Sequence, residues 1–362
     1  MTRTLQLHGT VDPHVHLRGM EWAHKGDFYT ETCAAVAGGY WAVLDMPNTL
    51  PSTIDRAALQ RKRDEFAAHA VCDWGVYYGA AAPAASGESG NWTDYDDTLY
   101  AQICGLKMYN NETTGVLLID DQAVREQHYA HWTSSKPIAV HAEEQTVRDI
   151  LELVRRYRRK THFCHISTAY ELRLLADAKA EGLPVSLGVC PHHLWFTQND
   201  LSRLGSLGLM KPELKTAADR DALWDGIRSG LVDVIESDHA PHLLSEKQSE
   251  KPPYGVPGLE TTLPLMMTAV HEGRVTLEQV IPLVTDNPRR IFGLTAPADT
   301  YCTIDPDASY TLESSDLHNR CGWSPFEGMT LHGRVIGNVI RGMQVYDGEQ
   351  VCVQAGFGVP LS

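Results

Sequence analysis

The sequence predicts an α/β protein, a (β/α)8 barrel of the TIM type carrying a small C-terminal β appendage. Three observations lead there. Eight strand-like apolar runs alternate with amphipathic stretches of helical period. Six residues of metal-ligand type stand at or near the ends of those runs, where barrel enzymes carry their active sites. After Pro288 the texture changes to short alternating runs separated by glycines. A doubly wound open sheet would also alternate, but ligands drawn from five or six strands would not converge on one crevice there.

The strand candidates are residues 4–11, 41–46, 72–80, 102–109, 137–141, 161–165, 184–189 and 232–237. Between them, Arg56 to His69, Asp121 to Trp132, Glu144 to Arg159 and Tyr170 to Glu181 read as amphipathic helices. The last of these runs into Gly182, a residue able to take the left-handed conformation that ends many helices. The barrel is expected over 1–298 and the appendage over 299–362, where ASYTLESS and LHGRVIGNVIRGMQVYDGEQV read as antiparallel strands. The first residues of the chain are candidates to complete that second sheet. The polar, Pro/Gly-rich stretch SEKQSEKPPYGVPG (245–258) is expected to border the active site, because it follows the Asp238 motif.

A chain of 362 residues with 43% hydrophobic content can bury a barrel-sized core. The formal net charge of −15 argues against nucleic acid or an anionic membrane surface as the partner. An anionic substrate would need a local cationic pocket working against that field. No apolar run approaches the ~20 residues of a membrane span, and MTRTLQLHGTVD has no signal-peptide core. The eight cysteines lack any C-x-x-C pairing. They read as buried free thiols of a reducing, cytoplasmic compartment.

The chemistry is carried by His14 and His16 in VDPHVHLR, Lys107 in GLKMY, His141 in IAVHAEE, His165 in THFCHIS and Asp238 in VIESDHAPH. Residues two apart on a strand share a side, so His14 and His16 can converge on one ion. Neutral imidazole and carboxylate are ligands zinc prefers, and three or four of them leave a position open for water. The set points to a metal-dependent hydrolase. Lys107 has two readings: a carbamate formed with CO2 that bridges two metals, or an ammonium that neutralises a nearby anion. Asp238 suits both a ligand and a proton shuttle. His192, His193 and His239 are expected to hydrogen-bond the ligands. His24 and Lys25 are expected at the surface, and Cys164 on the strand face opposite His165. Arg18, Asn48 and His242 together describe a pocket for a small carboxylate beside the metals.

These motifs resemble the dihydroorotases of the amidohydrolase superfamily, above all the dihydroorotase domain of animal multifunctional pyrimidine-synthesis proteins. The likeness runs through DPHVHLR, AGG, MPNT, GLKMYNNET, HAEEQTV, CHIS, CPHH, MKPEL, SDHAPH, VPGLETTLPL and NPRRIFGL. It implies reversible hydrolysis of the cyclic amide of dihydroorotate to N-carbamoyl-aspartate. Two zinc ions per subunit, bridged by a carbamylated Lys107 and a hydroxide, are part of that implication. One ion would be held by His14, His16 and Asp238, the other by His141 and His165. The resemblance also implies substrate binding by Arg18, Asn48, His242, Thr113 and Gly258, a homodimer, and association with aspartate carbamoyltransferase. The final His of SDHAPH distinguishes dihydroorotases from allantoinases and hydantoinases, which generally carry other residues there. Those enzymes, and an inactive scaffold for the carbamoyltransferase, are the competing readings. There are departures as well. GMEW (19–22) replaces the usual EPG, and Thr114 stands where the animal type has Phe. Lys211 and Lys215 fall at variable positions. Gly188 replaces a Glu, which takes away one ligand of any extra metal at Cys164.

Overall fold

A computed structural model describes residues 4–83, 90–113 and 115–361. Thr114, contrasted with Phe above, lies outside the described residues. Among the described residues, twelve strands form two sheets. In chain order they are β1 (Leu5–His8), β2 (Val11–Val15), β3 (Ala42–Asp45), β4 (Asp73–Gly79), β5 (Gly105–Tyr109) and β6 (Ile138–His141). There follow β7 (Thr161–Phe163), β8 (Val185–Val189), β9 (Val234–Ile235), β10 (Tyr301–Thr311), β11 (Thr330–Ile340) and β12 (Met343–Tyr346). Strands β2 to β9 pair in sequence order, all parallel. A parallel bridge between Val15 and His239 closes the barrel. Residues of β2 through β7 are buried on both faces, because helices cover the outside and side chains fill the inside.

The helices start where their capping chemistry predicts. Asp55 accepts the amide hydrogen of Ala58 at 2.8 Å and opens the helix Arg56–His69. Thr168 and Glu171 form a reciprocal capping box on the helix Ala169–Ala180, and Gly182 at φ 70° ends that segment. Glu171 also accepts the backbone N–H of Glu144 at 2.9 Å, which ties the turn after β6 to the neighbouring helix.

One expected barrel strand divides. Residues 4–11 read as a single run, but Gly9, at φ 61°, turns the chain between two strands. A Cβ there would stand 2.5 Å from Ala296 Cβ. Leu5–His8, half-exposed in alternation, joins the second sheet, whose order is β1-β10-β11-β12 and whose pairings are all antiparallel. Val11–Val15, buried throughout, begins the barrel. The one-sided pattern of LQLH fits an open sheet and the fully buried VDPHV a covered one.

The two sheets are tied at the end of the barrel opposite the ligands. Asp73 accepts from Trp41 Nε1 at 2.7 Å and from the Val359 amide at 3.0 Å, and it pairs with Arg341 at 2.5 Å. Arg341 also donates to the Phe357 carbonyl at 3.0 Å. Gly358 lies in this seam so closely that a Cβ would stand 1.8 Å from the Cys72 carbonyl oxygen. Gly358→Ala is therefore expected to destabilise the fold by about 1–3 kcal/mol through overpacking against backbone. Thermal unfolding with metal analysis checks this. A lowered Tm with unchanged metal content is expected, and an unchanged Tm would count against the seam.

Candidate metal centre

The barrel brings the six predicted ligands into one neighbourhood at the C-terminal ends of its strands. His14 lies in β2 with His16 just past it, Lys107 in β5, and His141 at the end of β6. His165 follows β7 by two residues and Asp238 follows β9 by three. All six are buried. Asp238 Oδ1 stands 3.3 Å from His14 Nε2 and 3.2 Å from His16 Nε2. His141 Nδ1 stands 3.1 Å from His165 Nε2. Ligands about 2.0–2.1 Å from a tetrahedral zinc lie about 3.3 Å from one another, so these separations match the edges of a coordination shell. His14, His165 and Asp238 offer atoms that all lie within 4.8 Å of one another.

Three of the imidazoles are turned by an outer acceptor. His16 directs Nδ1 to Asn48 Oδ1 at 2.6 Å, which leaves Nε2 for the interior. His141 directs Nε2 to Glu143 Oε1 at 3.0 Å and leaves Nδ1. His14 faces Glu236 with Nδ1 at 3.7 Å, too long for a hydrogen bond but in the same sense. Each inner nitrogen thus presents a lone pair, the arrangement metal-binding histidines adopt. Burial, with the charge of Lys107 adding to it, pushes the His14 pKa down to about 4. Burial likewise holds His16 and His165 well below the usual imidazole range. These rings are neutral at pH 7, as ligation requires. Burial raises the Asp238 carboxyl, against the opposing pull of His14 and Lys107. The chemistry of the donor set therefore fits zinc. Lys107 Nζ donates to Cys164 Sγ at 3.3 Å and lies 5.0 Å from the centre of the Tyr109 ring.

Arg18, His165 and Asp238 all have positive φ, at 65°, 37° and 46°. Side chains rarely adopt that backbone, so the surroundings must hold it, as happens at functional sites. The break at His165 also accounts for Cys164. Strand alternation would turn Cys164 away from His165, but β7 ends at Phe163 and both side chains face inward. Cys164, His14 and Glu236 form a second buried group of ligand type. The carboxylate expected to be lost with Gly188 is supplied by the adjacent strand instead. A Cβ on Gly188 would stand 2.5 Å from Glu236 Cδ, so the glycine makes room for Glu236. Sequence reasoning passed over Glu236, although its position two residues before Asp238 was a usable signal. Burial would raise the Glu236 pKa, yet the nearby His14 ring and the hydrogen bond with His162 prevail and hold it below the usual carboxylate range.

The cavity above the ligands is walled by Arg18, Asn48, Thr113, Lys211, Tyr254 and Gly255. Segment 245–258 does border it, as expected. Arg18 Nε donates to the Pro241 carbonyl at 3.0 Å, and its Nη2 lies 3.0 Å from His242 Nε2. His242 stands behind Arg18 rather than on the cavity wall. Gly258 is turned elsewhere and gives its amide hydrogen to His239 Nδ1 at 3.1 Å. His239 pairs with Glu31 at 2.7 Å and reaches the ligands through its backbone carbonyl, which accepts from His16 N at 2.7 Å. His192 and His193 form a buried group with Cys190, and His193 Nε2 bonds the Pro212 carbonyl at 2.9 Å. All eight cysteines are free thiols, seven of them buried. Among the described residues no helix is long and apolar enough to cross a membrane.

No family model matches the chain. Multifunctional protein pyr1-3 of Dictyostelium discoideum is 40% identical over 99% of this chain, and multifunctional protein CAD of Squalus acanthias 38% over 98%. The match spans 16% of the length of each of those relatives. A dihydroorotase of Pyrococcus furiosus is 33% identical over 95% of this chain and 82% of its own. Among solved structures, an L-hydantoinase of Arthrobacter aurescens superposes with a TM-score of 0.91 at 23% identity, covering 99% of this chain and 88% of that one. An inactive dihydroorotase-like domain of a Chaetomium thermophilum CAD-like protein gives 0.83 at 24%, covering 99% and 100%. These structures share the barrel and its second sheet. The sequence identities go further: the chain belongs to the dihydroorotase family of the amidohydrolase superfamily.

Proposed function

We propose that this protein is an active dihydroorotase, which reversibly hydrolyses the cyclic amide of (S)-dihydroorotate to N-carbamoyl-L-aspartate in cytoplasmic pyrimidine synthesis. The observation that carries this reading is the buried Arg18 guanidinium in the wall of the cavity that holds the imidazole and carboxylate cluster. A neutral hydantoin or allantoin ring has no use for such an anion clamp. Two zinc ions, one held by His14, His16, Asp238 and a carbamylated Lys107, the other by that carbamate, His141 and His165, would polarise the ring carbonyl and activate the attacking water.

The remaining work falls to the chain's own residues. Arg18 pairs with the ring carboxylate, and Asn48 lies beside it on the same wall. Asp238, whose carboxyl burial makes more basic, takes the proton of the attacking water as oxygen adds to the carbonyl carbon. It then delivers that proton to the ring nitrogen as the C–N bond breaks. The new carboxylic acid ionises at neutral pH and releases a proton, so acid favours cyclisation and alkali favours opening. Thr113 closes the cavity from the loop after β5. Asn111 anchors that loop by accepting from the Glu143 amide at 2.9 Å and from Thr146 Oγ1 at 2.6 Å. Closing residues of this kind exclude water from the reacting ring.

Assays of the zinc-loaded protein with dihydroorotate and carbamoyl-aspartate, and with hydantoin and allantoin as controls, test the reading directly. Turnover of the first pair alone is expected, and zinc-replete protein without turnover would point to a scaffold. Asp238→Asn is expected to lose ~10²-fold or more in both directions while its circular dichroism spectrum stays unchanged. Lys107→Ala is expected to lose metal and activity together. Unmodified Lys107 at full metal occupancy, read from the intact mass and metal content of wild type, would remove the carbamate. Arg18→Met should raise KM for dihydroorotate by about tenfold or more, since a shielded charge-assisted pair contributes ~1.5–3 kcal/mol. An unaltered KM would argue against the anion clamp.

A further inference from the structure

GMEW (19–22), one of the departures from the family resemblance, opens a segment, residues 19–26, to which the structure gives a defined contact. Gly19 N bonds Gly26 O at 2.9 Å and closes the segment into a loop beside Arg18. Lys25, expected at the surface, is folded inward with 14% of its side chain exposed. Its Nζ lies 3.2 Å from His242 Nδ1 and 3.0 Å from Glu246 Oε1. His24 remains half exposed, as expected.

His242 is 1% exposed and has three polar neighbours within hydrogen-bond distance of its two ring nitrogens, with Glu246 farther off at 3.8 Å. Lys25 faces Nδ1, while Arg18 Nη2 and the Tyr254 carbonyl both face Nε2, each at 3.0 Å. An ammonium and a guanidinium only donate, and a carbonyl only accepts. With the proton on Nδ1, Nε2 accepts from Arg18, but Lys25 meets an N–H and the carbonyl meets a lone pair. With the proton on Nε2, Lys25 donates to Nδ1 and Nε2 donates to Tyr254, which leaves Arg18 alone without a bond to the ring. An imidazolium would stand buried between two cations. The tautomer with Nε2–H satisfies the larger number of neighbours, and Lys25 is the group that selects it.

We infer that Lys25 is a positioning residue for substrate-carboxylate recognition, acting through the tautomer of His242; this rests on the carboxylate reading of Arg18 proposed above. With Nε2 protonated, His242 cannot accept from Arg18, and the guanidinium keeps its donors for an anion in the cavity. The same N–H holds the carbonyl of Tyr254, whose residue forms part of the cavity wall. Without Lys25, Glu246, 3.8 Å from Nδ1, becomes the nearest partner on that side. A carboxylate there draws the ring proton to Nδ1, and Nε2 then takes an N–H of Arg18 away from the substrate.

The test compares Lys25→Met and Lys25→Arg in the zinc-loaded protein. Nitrogen-15 spectra of labelled histidine, with His242 assigned by its loss in His242→Gln, report which ring nitrogen carries the proton. Lys25→Met is expected to move that proton from Nε2 to Nδ1. It should also raise KM for dihydroorotate about tenfold with kcat changed by less than about twofold. Binding of orotate, a planar carboxylate of the same ring type, should weaken in parallel, and Lys25→Arg should restore both. A tautomer unchanged in Lys25→Met, or Lys25→Arg as impaired as Lys25→Met, overturns the inference. A protein that binds orotate but turns over no dihydroorotate would refute the proposed activity, while the spectra and the orotate titration would still decide the role of Lys25.

Discussion

The site depends on the closure of the barrel at one seam. Asp238 follows the last strand of the barrel, while His14 lies in the first and His16 just past it, more than two hundred residues away in sequence. They meet because Val15 bridges His239, with His16 N donating to the His239 carbonyl at 2.7 Å. The seam is braced from outside by Glu31, which pairs with the His239 ring at 2.7 Å. It is braced from below by Asp12, which accepts from His14 N at 3.2 Å and from Ser237 N at 3.3 Å. An open sheet of the same strands would leave two ligands at one edge and one at the other. Closure therefore brings together groups that local sequence cannot.

Having gathered polar groups in its interior, the fold holds several of them from behind. Asp45 accepts the Leu17 amide at 2.7 Å and pairs with the buried Lys62 at 2.5 Å, which fixes the chain between His16 and Arg18. Removing one partner of such a pair leaves an uncompensated buried charge, a cost of roughly 3–5 kcal/mol. Asn48 and Glu143 set which nitrogen of His16 and His141 points inward, and Glu236 faces His14 in the same sense. Left-handed backbone at Arg18, His165 and Asp238 then persists because strands, ion pairs and outer acceptors over-determine it.

Much of this was legible in the sequence, for identifiable reasons. Fully buried strands such as AVLD and IAVH show as continuous apolar runs, and ligands at their ends are visible because few other residues interrupt those runs. The helix Arg56–His69 was readable to the residue, since its cap and its charged face are both local signals. What was missed depends on three-dimensional context. The division of residues 4–11 turns on Gly9, which from sequence alone could equally have been a strand residue. Cys164 faces inward, against strand alternation, because β7 ends at Phe163 and the chain turns left-handed at His165. Lys25 looked like a surface lysine because its partners, His242 and Glu246, lie more than two hundred residues away.

Where the family resemblance implies a Glu at position 188, this chain has a glycine, and Glu236 brings a carboxylate to the same place. The two positions lie on adjacent strands, where Gly188 pairs with Val234 and Glu236 follows β9 directly. A side chain on either strand can reach the same point in the interior, but both cannot occupy it, since a Cβ at Gly188 would strike the Glu236 carboxylate. Comparing one position at a time therefore registers a lost acid, whereas the three-dimensional shell registers an acid delivered from next door. The same reasoning separates fold from specificity in this family. The L-hydantoinase of Arthrobacter aurescens shares this fold with a TM-score of 0.91 at only 23% identity. The groups proposed to address the substrate lie in segments beyond the strand ends: Arg18 after β2, Asn48 after β3, and the loop that carries His242 and Tyr254 after β9. Such segments can change while the sheet beneath them stays constant.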